Sequence, residues 1–99
     1  MAVIVALVHS DGFRSPAFEA TLRAFEKHTK LEHQEVKLEE DHLDLPKVVE
    51  HLKKGDFVVV DGGKLPDETA EIETFLDNEQ LDPQARNRFQ VWCLLKPGG

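Results

Sequence analysis

The chain has 99 residues, 40% of them hydrophobic, a formal net charge of −7 and a single cysteine, Cys93. This length supports one domain over residues 1–99, the negative balance repels phosphate backbones and so argues against duplex nucleic acid, and one cysteine excludes an internal disulfide. No apolar run reaches the roughly 20 residues a membrane helix needs, and no basic segment precedes an apolar signal core, so a soluble, cytoplasmic protein is expected.

Ala2-Val3-Ile4-Val5-Ala6-Leu7-Val8 is apolar throughout and stops at His9-Ser10-Asp11-Gly12. Neither face of such a run tolerates water, so it reads as a central parallel strand. Ser15-Pro16 then opens a helix, with serine suited to the N-cap and proline to the first helical position. Phe18, Leu22, Phe25 and Thr29 recur at i, i+4, i+7 and i+11, one stripe to lay on a sheet. Leu31–Leu38 alternates weakly and carries charge, which suits an edge strand. Glu39-Glu40-Asp41-His42 lacks the glycine and ligand spacing of a calcium loop and reads as solvated.

A second helix starts at Leu45-Pro46, turns Val48, Val49 and Leu52 inward, and closes at Lys53-Lys54-Gly55. Phe57-Val58-Val59-Val60 is the second dry strand, and it ends in Asp61-Gly62-Gly63. Pro66 begins a third helix with Ile72, Phe75 and Leu76 as core contacts. The polar stretch from Asp77 to Asn87, containing Pro83, reads as a loop with room for a short helical turn. Phe89–Leu95 is the last strand.

The alternation predicts a small flavodoxin-like α/β domain, a three-layer sandwich around a four-stranded parallel sheet with right-handed crossovers. The two dry strands belong at the centre and the wet one at the edge, which gives the order 2-1-3-4. The alternative is a ferredoxin-like antiparallel sheet. The order 2-1-3-4 creates a topological switch point between the first and third strands, where ligands of open α/β sheets bind beyond the strand ends.

Two loops meet that condition. The first holds His9, Ser10, Asp11, Gly12 and Arg14, whose amides and guanidinium would cradle an anion at the helix start, or form an ordinary capped turn. The second holds Asp61, Gly62, Gly63, Lys64 and Asp67. Carboxylates cluster beyond it: helical spacing puts Asp67 and Glu71 on one face, with Glu73 displaced from Glu71. Such groups serve as acid, base or nucleophile in a dry cleft, or as a solvated helix face. The five histidines fall on different elements with no tight pair, so no metal is expected. No complete Gly-x-Gly-x-x-Gly or P-loop spacing occurs, and no cofactor is expected.

The stretch Val48-Val49-Glu50-His51-Leu52-Lys53-Lys54-Gly55-Asp56-Phe57-Val58-Val59-Val60-Asp61-Gly62, continuing through Asp67-Glu68-Thr69-Ala70-Glu71-Ile72-Glu73, resembles the nucleoside 2-deoxyribosyltransferase-like family, which includes small deoxynucleoside monophosphate N-glycosidases. The resemblance implies a catalytic glutamate at Glu73, or at Glu71 with a different gap, attacking the anomeric carbon. It also implies a ligand contact at Thr69, assistance from Asp61 or Asp67, and a pocket completed by a second subunit. Val48 stands where the family carries an orienting aspartate, and the glycines around its glutamate are missing here. Two functions follow as expectations: a nucleoside- or nucleotide-binding domain that cleaves or transfers an N-glycosidic bond, or a non-catalytic domain that binds a protein partner.

Overall fold

The computed structural model describes residues 2–40, 42–61 and 69–92, with residues 69–71 and 92 as backbone alone. The elements run β1 (Ile4–Val8), α1 (Pro16–Thr29), β2 (His33–Lys37), α2 (Leu45–Lys54), β3 (Phe57–Asp61), α3 (Thr69–Asn78), α4 (Pro83–Asn87) and β4 (Phe89–Trp92). The sheet is parallel throughout, in the order β2-β1-β3-β4. The antiparallel alternative is thereby excluded. Ile4 pairs with His33 on one side and Phe57 on the other, so β1 and β3 lie side by side at the centre.

Strand parity divides the core in two. Ile4, Ala6, Val8 and Val59 pack against Phe18 and Leu22 of α1 on one face. Val5, Val58 and Val60 pack against Val48, Val49 and Leu52 of α2 and Ile72 and Leu76 of α3 on the other. This division follows from handedness. The β1-to-β2 crossover moves in one direction across the sheet and the next two move in the other, so right-handed connections place α1 opposite α2 and α3. Burying Phe18 and Leu22 stabilises the α1 face by about 1.5–3 kcal/mol each.

Local signals end the helices where the chain must turn. Ser15 caps α1 by accepting the Phe18 N–H at 3.2 Å, with Pro16 following in the first turn. Asp44 caps α2 through the Lys47 N–H, and Gly55, at φ 95°, closes it in the left-handed conformation that favours glycine. The stretch from Asp77, expected as a loop with room for a short helical turn, begins later than expected and contains that turn. Helix α3 continues to Asn78, and α4 occupies 83–87 as a short helix capped by Asp82, whose Oδ1 accepts the Ala85 N–H at 2.8 Å. No helix among the described residues is long and apolar enough to cross a membrane.

Candidate functional site

The switch point brings His9 and Asp61 together from the ends of β1 and β3. His9 Nε2 stands 3.3 Å from Asp61 Oδ1, and both side chains are only 1% exposed. Asp61 Oδ2 accepts the Ser15 N–H at 2.6 Å. The carboxylate of Asp61 therefore occupies the position at the start of α1 where the sequence allowed either a bound anion or an ordinary capped turn. The remainder of the loop is tied down locally. The Gly12 N–H reaches the His9 carbonyl at 2.8 Å, Asp11 Oδ1 accepts the Phe13 N–H at 2.9 Å, and the Phe13 ring stacks on His9 with centroids 5.8 Å apart. Gly12 makes this turn at φ 86°. Ser10 and Asp11 lie exposed on its rim.

Arg14 turns toward α1 and β2. Its guanidinium meets Glu19 at 3.0 Å and Glu35 at 3.2 Å, and its Nη2 lies 3.1 Å from His33 Nε2. Arginine only donates, so His33 Nε2 accepts and the His33 proton sits on Nδ1, which faces Glu26 Oε2 at 2.9 Å. These contacts join the α1 surface to the edge strand.

Glu73 lies elsewhere. It pairs with Arg86 of α4, which also reaches Asp77 Oδ1 at 3.2 Å, and its side chain is 59% exposed. Helix α3 packs on the Val58 and Val60 face of β3, whereas Asp61 turns to the α1 face with Val59. The sheet thus separates Glu73 from Asp61. Gly62, Gly63, Lys64 and Asp67 lie outside the described residues, as do the side chains of Thr69 and Glu71. Val48, at the position where the family resemblance asks for an aspartate, is buried in the core.

Two features escaped sequence reasoning. At the start of β3, buried Asp56 accepts the Val3 N–H at 3.1 Å and faces His51 Nδ1 at 2.9 Å, while Arg88 donates to the carbonyls of Asp56 and Leu52. Burial pushes the Asp56 carboxyl up. The bonds from His51 and Val3, with the charges of His51 and Lys54, outweigh it and hold the group below its ordinary 3.8. The second feature is a depression of about 290 Å³ between β2 and α2, with Val5, Leu7 and Val36 as its floor and Lys37, His42 and Lys47 at its wall. It exists because α2 covers β1 and β3 and leaves the β2 side of that face open. The isolated apolar Val36 between Glu35 and Lys37 was the signal for it. Among the described residues no group of three or more His, Cys, Asp or Glu side chains is arranged to hold a metal ion. No protein-family model matches the chain, and neither does any curated protein or solved structure.

Proposed function

We propose that this domain is a non-catalytic protein-interaction module, with the outward edge and open face of β2 as its contact surface. The observation that carries this reading is the separation of Glu73 from Asp61 by the sheet. An N-glycosidase needs a nucleophile and an assisting group converging on one anomeric carbon within hydrogen-bond reach. Here Glu73 pairs with Arg86 on an exposed surface, and Asp61 is spent on the Ser15 amide and His9. By contrast, Gln34, Glu35, Val36 and Lys37 of β2 are all exposed. Incubation with each of the four deoxynucleoside monophosphates is expected to release no free base. Release that Glu73→Gln abolishes would overturn the reading.

The meeting of His9 and Asp61 at the switch point favours a second reading, a nucleoside- or nucleotide-binding site in that crevice. Calorimetric titration with deoxynucleoside monophosphates tests it. On that reading the parent chain binds and Asp61→Asn does not; an absence of heat in the parent disposes of it.

A further inference from the structure

We infer that the partner of the β2 edge is a second copy of this chain, joined by antiparallel pairing of the two β2 strands about a two-fold axis at Val36. The inference rests on the interaction-module reading and names its partner.

The Ile4 N–H donates to the Glu32 carbonyl at 3.2 Å, and the Leu38 N–H donates to the Val8 carbonyl at 2.8 Å. In a parallel ladder the bonding residues alternate, so the even-numbered residues of β2 face β1. His33, Glu35 and Lys37 therefore turn their N–H and C=O groups outward, where a further strand would bond. A two-fold axis at Val36 sets Glu35 against Lys37 of the other copy, both outward-bonding residues, as a hydrogen-bonded pair. Val36 then meets its own counterpart as the non-bonded pair between them, the position where cross-strand side chains come closest.

Side-chain chemistry selects the same register. Glu35 and Lys37 share the α1 face of the sheet, so each axis generates two Glu–Lys contacts. Val36, 45% exposed, covers itself on the opposite face. Moving the axis one residue to Glu35 puts two glutamates together and His33 against Lys37. Moving it to Lys37 puts two lysines together and Glu35 against Glu39. Like charges directly opposite are destabilising, so the neighbouring registers are disfavoured by the same residues that favour this one. The open depressions beside Val36 in the two copies come to lie next to each other across the axis.

Sedimentation equilibrium on the full chain tests this, with two charge reversals. The parent is expected to dimerise. Glu35→Lys leaves cations at both positions and Lys37→Glu leaves anions at both, so each variant alone should bind itself about tenfold or more weakly. Mixing the two restores both opposite-charge contacts, and a heterodimer should form with parent-like affinity. Far-UV circular dichroism checks each fold, and the regain on mixing cannot come from an unfolded chain. A monomeric parent, or dimers that both variants keep unchanged, overturns the inference. A monomeric parent leaves the interaction-module reading standing, which falls instead to release of free base.

Discussion

Strand β3 is bracketed by two buried aspartates, Asp56 before its first residue and Asp61 at its last. Each faces a histidine, His51 and His9, and each accepts a backbone N–H from a distant segment, Val3 and Ser15. Asp56 lies at the amino-terminal edge of the sheet, away from where ligands of open α/β folds bind, and Asp61 lies at the carboxyl edge, where they do bind. The two ends use the same chemistry. Asp56 anchors β1 to the α2–β3 turn, so the matching contacts of Asp61 are what a structural aspartate makes here. Position in the fold and the family resemblance, not its contacts, marked Asp61 for function.

Removing Asp61 is the sharpest way to break that equivalence. Asp61→Ala leaves the Ser15 amide unpaired at a buried helix start and should cost about 3 kcal/mol, read by urea denaturation. A group held for chemistry at the expense of stability behaves oppositely, and a neutral or stabilising Asp61→Ala would end the structural account. Asp56→Ala should cost about 2 kcal/mol, less because His51 and the neighbouring surface reach water and relieve the loss. The two sites are about 16 Å apart along the strand, so the double variant should lose the sum within about 0.5 kcal/mol. A larger departure means that the two ends of β3 communicate.

The pH dependence separates the ends further. The Asp56 carboxyl is lowered in the folded state from 3.8, so its contribution is fully present above that value and is lost as pH falls through the lower folded value. In acid titrations followed by circular dichroism, the stability gap between the parent and Asp56→Asn should hold just above pH 3.8 and close below it. A gap that instead widens in acid would reverse the sign assigned to Asp56.

The central strands were legible because Ile4–Val8 and Phe57–Val60 are dry on both faces, and the wetness of His33–Lys37 then fixed the sheet order. The proximity of His9 and Asp61 followed from that order. What Asp61 would contact did not, because the parity of β3 decides its face and nothing local reveals which parity points to α1. The separation of Glu73 is of the same kind, since it appears only once α3 is assigned to the other face. Asp56 was hidden because its backbone partner, Val3, is 53 residues away. Helix α4 is the short helical turn for which the stretch from Asp77 to Asn87 left room; five residues show no periodicity that would set its bounds, although Asp82-Pro83 repeats the cap-and-proline signal of Ser15-Pro16.

The smallest expected effect belongs to the carboxylate that sequence reasoning ranked first. Glu73 is largely exposed and its pairing with Arg86 is screened by solvent, so Glu73→Gln should change stability by no more than about 0.5 kcal/mol. Arg86 keeps Asp77 as a partner, which limits the loss still further. A double-mutant cycle between Glu73→Gln and Arg86→Ala, read by urea denaturation, should give a coupling below about 1 kcal/mol. Glu73→Gln raising stability by more than that would identify a carboxylate held against its own electrostatic interest, as nucleophiles are, and would restore Glu73 to the chemistry that its place across the sheet from Asp61 now argues against.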